Sequence, residues 1–156
     1  MMIGLKQFEN KEIFSYFKIK NTKQRNVVLD ILKKAEYPLT SKEIFFRAKN
    51  MDDSINFSTI YRILNVFESK GIVVKLNIMN SDEAVFELKT VGHKHYLICL
   101  KCKKMIPIEG CPLGDYEKFI ENTTDFDIMG HHLEIFGYCS ECKGDKKGDG
   151  VNEGKN

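Results

Sequence analysis

Four of the five cysteines stand in two Cys-x-x-Cys pairs, Cys99/Cys102 and Cys139/Cys142, with enough chain between the pairs to fold back on itself. Each pair can grip one side of a cation, and together they supply the four soft donors of a closed tetrahedral zinc site. A site of that kind has no open coordination position, so it staples a fold and performs no catalysis. The competing reading is a redox dithiol, in which one Cys-x-x-Cys opens a helix. Both pairs sit at strand-like positions, the first lysine-flanked, which favours the zinc knuckle.

At 156 residues with 42% apolar residues the chain can form one domain or two small ones, and a small domain needs such a staple. No apolar run is long enough to span a bilayer, and Met1 to Lys11 lacks the apolar block of a signal peptide. A cytoplasmic protein with no membrane partner is expected. An odd count of five cysteines also argues against a disulfide framework. Residues 1–89 hold 15 Lys/Arg against 11 Asp/Glu and residues 90–156 hold 9 against 11, so the first part is mildly basic (+4) and the second mildly acidic (−2).

From Thr22 the sequence reads as successive helices. Thr22 is a plausible N-cap for a helix with Val28, Ile31, Leu32 and Ala35 on one face. Thr40, Ser41 and Glu43 open a second helix, ending near Asn50, that points Ile44, Ala48 and Met51 inward. Ser58 or the residue before it caps a third, with Ile60, Ile63, Leu64 and Phe67 buried and Gly71 as its stop. The period then changes to that of a hairpin, 72–76 and 84–88. Three helices and a hairpin describe a winged helix-turn-helix over residues 1–89, with a short leading helix within 8–18. Lys89 to Gly92 reads as a hinge. Strands are expected at 95–100, 105–109, 125–129 and 132–138, around a helix from about Pro112 to Asn122 carrying Leu113, Tyr116, Phe119 and Ile120. That makes 93–142 a second, α/β domain and the whole chain α+β. The tail 143–156 is too polar to order.

His93 and His95 lie two apart, so on a strand their imidazoles share a face and can grip one ion. His131 or His132 could complete a mixed site for Zn, Fe, Mn, Co or Ni. Cys111, the leftover thiol, is either a small apolar residue or a ligand of that site. In the first domain Ser58, Thr59, Tyr61 and Arg62 begin the third helix, where a recognition helix would present its first turns to base edges. Arg25, with Lys23 and Lys75, would contact phosphate. A solvated helix face reads the same way on pattern alone.

Taken together, Thr22-Lys-Gln-Arg25, Pro38 to Ile44, Ser58-Thr-Ile-Tyr-Arg62-Ile-Leu-Asn65, Val85-Phe-Glu-Leu88, His93-Lys-His95-Tyr-Leu-Ile-Cys99-Leu-Lys-Cys102 and His131 to Cys142 resemble the ferric uptake regulator (Fur) family over roughly residues 20–142. The resemblance implies a homodimer that binds a palindromic double-stranded DNA operator through N-terminal winged helices and dimerises through the C-terminal domain. A corepressor metal near the hinge would couple metal level to repression. It implies structural zinc on Cys99, Cys102, Cys139 and Cys142, and a second divalent metal, Zn2+ or Fe2+, on His93, His95 and His131. The chain departs from the family at Lys94, Tyr96 and Pro38, where histidines of a further interdomain site would stand; Glu87 alone of that site remains. The family's carboxylate from the dimerisation-domain helix falls at Gly114, so Cys111, Glu109 or Glu117 must replace it, and Cys111 is the expected replacement.

The expectation is a metal-responsive repressor and not an enzyme. A zinc hydrolase would need a general base beside its histidines, and none is evident. The other alternative is a thiol or peroxide switch using Cys111 or the Cys-x-x-Cys pairs.

Overall fold

The computed structural model describes residues 4–78, 81–89, 94–131 and 133–145. It divides into two compact units, Met1–Gly92 and His93–Asn156.

In the first unit a 3-10 turn, Leu5–Gln7, precedes α1 (Asn10–Tyr16), α2 (Lys23–Lys34), β1 (Leu39–Thr40), α3 (Ser41–Met51), α4 (Phe57–Ser69), β2 (Val73–Asn77) and β3 (Ala84–Leu88). Each helix starts on a cap. The Thr22 hydroxyl accepts from the Arg25 amide, and at Thr40 the full reciprocal box forms with Glu43. At α4 the cap is Asn56, and not Ser58 or the residue before it. Asn56 Oδ1 accepts the Thr59 amide at 2.9 Å and both the Ser58 and Thr59 hydroxyls, at 2.7 and 2.9 Å. An amide oxygen one position further upstream reaches the orphan donors and leaves Ser58 inside the helix.

The expected stripe of α4 is buried, as are Val28, Ile31 and Leu32 of α2 and Ile44 and Ala48 of α3. Met51 is half exposed, because it is the last residue of α3 and lies beyond the packed turns. Leu39–Thr40 adds a third strand that the pattern did not suggest. It pairs antiparallel with β3, giving the order β1-β3-β2, and β2 and β3 form the expected hairpin. A winged helix results: α2, α3 and α4 around one core, with the three-stranded sheet closing it.

The end of α4 is a Schellman turn. The Gly71 amide donates to Glu68 O at 2.9 Å and the Ile72 amide to Phe67 O at 2.8 Å, with Gly71 at φ +74° and Phe67 and Ile72 both buried. Between α2 and α3, Asp52 is buried at the C-terminus of α3. Its Oδ1 accepts the Ser54 amide and hydroxyl at 3.1 and 2.6 Å, and Oδ2 meets Lys23 Nζ at 3.0 Å. The Ser54 hydroxyl first, then Lys23, pull its pKa down from 3.8 to about 2.

The second unit holds β4 (His95–Cys99), β5 (Met105–Ile108), α5 (Gly114–Thr123), β6 (Glu134–Gly137) and a closing 3-10 turn, Lys143–Asp145. The tail expected to lack order thus begins with a regular turn; residues 146–156 lie outside the described residues. The sheet order is β5-β4-β6, with β4 antiparallel to β5 and parallel to β6. Pro107 is tolerated because β5 is an edge strand. Residues 125–129, expected as a strand, are not one. Phe126 and Ile128 alternate with aspartates, but among the described residues the segment pairs with no strand, and the Ile128 amide donates to Glu121 Oε1 at 3.0 Å.

Two substitutions test this account. In Gly71→Ala the new methyl meets nothing within 4 Å, so its cost is the left-handed backbone alone, about 1–2 kcal/mol, read as a fall in Tm. Asp52→Asn should lower Tm at neutral pH. The carboxylate's contribution is complete above its unfolded pKa and is lost as pH falls through the folded one, so the gap between wild type and Asp52→Asn should close between 3.8 and about 2.

Candidate functional site

The second unit gathers side chains that could hold a metal ion at the two ends of one strand. Side chains alternate along β4, so His95, Leu97 and Cys99 share a face, with His95 at the start and Cys99 at the end. β6 runs parallel beside it, from just beyond His131 to just before Cys139.

At the far end, Sγ of Cys99, Cys102, Cys139 and Cys142 all lie within 4.8 Å of one another. Cys102 and Cys139 are 3.7 Å apart, close to the edge of about 3.8 Å that four zinc–sulfur bonds of about 2.3 Å would impose. Cys99 and Cys142 are buried while Cys102 is exposed. Each pair closes a tight turn: the Lys103 amide returns to Cys99 O and the Lys143 amide to Cys139 O, both at 2.9 Å. The Cys139 amide, 3.5 Å from Cys99 Sγ, and then the Cys102 amide hold the Cys99 thiol down to about 6. Burial pushes Cys142 up to about 12. A bound cation would remove that conflict, because coordination deprotonates thiols outright.

At the near end His95, Cys111 and His131 converge. His131 Nε2 is 3.0 Å from His95 Nε2 and 3.2 Å from Cys111 Sγ, and His95 Nε2 is 3.4 Å from the same sulfur. The two imidazoles are stacked, 4.8 Å between centroids. His95 is 1% exposed. Cys111 is delivered by the turn after β5, which Gly110 makes at φ +75°. Glu117, in the first turn of α5, places Oε1 2.5 Å from His131 Nδ1. His93 and His132 lie outside the described residues. Glu109 does not belong to the converging group, and Glu87 sits on β3 of the first unit.

In the first unit Ser58, Tyr61 and Arg62 are exposed on α4 and Thr59 is half-buried. Thr59 and Arg62 line a cleft of about 640 Å³ together with Lys20, Thr22, Gln24 and Arg25 among others, whereas Ser58 and Tyr61 are not part of its lining. Arg25 is held along it by a 2.7 Å bond to Lys20 O. Ser58 and Thr59 spend their hydroxyl protons on Asn56, which the sequence reading overlooked although Asn is as good a cap as Ser.

Comparison with known proteins agrees with this architecture. The chain is 34% identical over 125 residues to the Peroxide-responsive repressor PerR of Staphylococcus epidermidis, covering 80% of this chain and 82% of that one. Its fold matches the Vibrio cholerae ferric uptake regulator (Fur) with TM-score 0.74 at 26% identity, covering 84% of this chain and 100% of the other. It matches the Helicobacter pylori ferric uptake regulator Fur, a protein with three functional metal binding sites, with TM-score 0.73 at 25% identity over 85% and 87% of the two chains. Residues 17–136 match the profile of the Ferric uptake regulator family, and the chain belongs to that family.

Proposed function

We propose that this chain is a metal-responsive transcriptional repressor that binds double-stranded operator DNA as a homodimer in the cytoplasm, with a divalent metal as corepressor. The observation that carries the reading is the meeting of His95, Cys111 and His131, three donors from separate segments within bonding range of one small ion. It offers three donors where the four-sulfur cluster offers four, and its Cys111 is exposed, so an ion can exchange there. In this reading the quartet holds structural zinc, His93 joins the second site, and Arg25, Ser58, Thr59, Tyr61 and Arg62 face DNA. Arg62 suits bidentate contact with guanine, and Arg25 suits phosphate. Among the described residues no helix is long and apolar enough to cross a membrane.

The homodimer is supported by apolar surface left open on the second unit. Ile106, Leu97 and Ile135 lie in register across the sheet, each nearly half exposed. On α5 Tyr116 and Phe119 stack on each other at 58% and 60% exposure, and Met129 is 96% exposed. An open apolar row across a sheet and an open aromatic pair on a helix are surfaces that a second copy would cover.

Peroxide response is a second reading, favoured by the name of the Staphylococcus relative. In that reading an oxidant releases the protein from DNA, by chemistry at the metal site, at Cys111 or at the Cys-x-x-Cys pairs.

The deciding experiment is DNA binding to the gene's own upstream region at fixed salt, since phosphate contacts make affinity salt-dependent. The exchangeable site is emptied first, and Zn, Fe(II), Mn and Co are added in turn. Metal-dependent binding that Arg62→Ala weakens by about 1–3 kcal/mol supports the repressor. Binding that ignores every metal but is lost on mild oxidation supports the redox reading. For the quartet, Cys142→Ser should hold one equivalent less of tightly bound zinc per chain and melt its second unit in a separate, earlier transition. Unchanged zinc content and Tm would refute a structural site there.

A further inference from the structure

We propose that Cys111 sets the metal selectivity of the His95, Cys111 and His131 cluster, making it a site for a thiolate-preferring divalent ion of the zinc type, and that Glu117 is a positioning residue acting through His131. This rests on the reading of the cluster as a metal site and deepens it by assigning the class of ion.

The donor atoms form a triangle with edges of 3.0, 3.2 and 3.4 Å. One cation held at about 2.0–2.1 Å by nitrogen and about 2.3 Å by sulfur asks for edges of roughly 3.3–3.6 Å. The three side chains meet that demand within a few tenths of an ångström. Each comes from a segment fixed by something else: His95 by the β4 ladder, Cys111 by the turn at Gly110, His131 by its approach to β6.

Glu117 is the nearest acidic candidate for a fourth ligand, but its carboxylate does not belong to the converging group. It bonds His131 through Nδ1, the ring nitrogen facing away from the cluster. A carboxylate there keeps the proton on Nδ1, so that Nε2 presents its lone pair to the other donors. The hard oxygen that would suit manganese or iron is therefore spent on orienting a histidine. What the described residues present to an ion is two imidazoles and one thiolate. Sulfur favours zinc and cobalt, whereas carboxylate and water favour manganese, and two histidines with a carboxylate favour iron(II).

The test uses the full chain with the four-sulfur site left loaded with zinc. Cobalt(II) is added as a probe, and the near-ultraviolet charge-transfer band of a cobalt–thiolate bond is recorded. The wild type should gain the band with one added equivalent, and Cys111→Ser should lack it while keeping the same far-ultraviolet circular dichroism. A band of equal strength in Cys111→Ser overturns the proposal. Because most nitrogen and oxygen sites also rank zinc above manganese, the decisive quantity is a ratio, measured by zinc and manganese competition against cobalt. Cys111→Asp should lower the zinc-over-manganese preference by roughly tenfold or more, and an unchanged ratio overturns the selectivity claim. Glu117→Gln should keep the wild-type visible spectrum of cobalt and lose about 10–100-fold in affinity. A changed visible spectrum would make Glu117 a ligand and overturn its positioning role.

Operator binding measured on the same samples separates this inference from the reading beneath it. Activation by manganese or iron(II) but not zinc overturns the selectivity and leaves a metal-responsive repressor. A sulfur band with no change in DNA affinity upholds the site and removes the corepressor role.

Discussion

The second unit depends on the parallel pairing of β4 with β6, because that one register assembles both ligand clusters. Cys99 lies opposite Gly137, and the Leu100 amide continues the ladder onto Gly137 O at 2.8 Å. Two residues past Gly137 the chain reaches Cys139, whose amide meets Cys99 Sγ. At the other end Tyr96 lies opposite Glu134, which brings His131 within reach of His95. A slip of one residue would turn every side chain of one strand to the opposite face. It would separate the cysteines and the histidines together. A cross-link at the cysteine end therefore also fixes the separation of the imidazoles about four residues up the strand, roughly 13 Å away.

The two clusters share that frame but differ in what they can do. The quartet is closed by its own donors, seated in tight turns and partly buried, which suits an ion kept for the lifetime of the fold. The triad offers fewer donors from the described residues and depends on a hydrogen bond from outside for the aim of one ligand. Those are properties of a site that responds to what is available. The first unit has a comparable division. Its caps and its Schellman turn hold α4 rigidly, while the outward side of the same helix carries Tyr61, Arg62 and Asn65 with none of them buried.

Where sequence and structure agree, the signal was local. The Thr40 and Glu43 capping box, the Gly71 stop and the hairpin that follows are decided within a few residues, and so were readable. The cysteine quartet is long-range, yet four thiols in two short-spaced pairs admit few other arrangements. The failures involve competition or absent partners. Asn56 outcompeted Ser58 because one amide oxygen could take three donors at once. Residues 125–129 have the alternation of a strand, but alternation cannot supply a neighbour to pair with. The helix expected from about Pro112 to Asn122 was read as carrying Leu113, Tyr116, Phe119 and Ile120, an apolar face that asks for a cover. Periodicity carries no information on whether the cover comes from the same chain, and here Tyr116 and Phe119 are left open.

The role of Glu117 was the least legible in the sequence. Cys111, Glu109 and Glu117 all fall near the helix that the family resemblance points to for a ligand, and Cys111 was the expected one of the three. What distinguishes Glu117 is the face of His131 it reaches from the first turn of α5. The same carboxylate on Nε2 would compete for the ion; on Nδ1 it prepares a nitrogen to bind one. Which of the two ring nitrogens meets the carboxylate separates the two roles, and no spacing in the sequence encodes it. The inventory of donors was legible from residue types, whereas their assignment to first contact or to support required the fold.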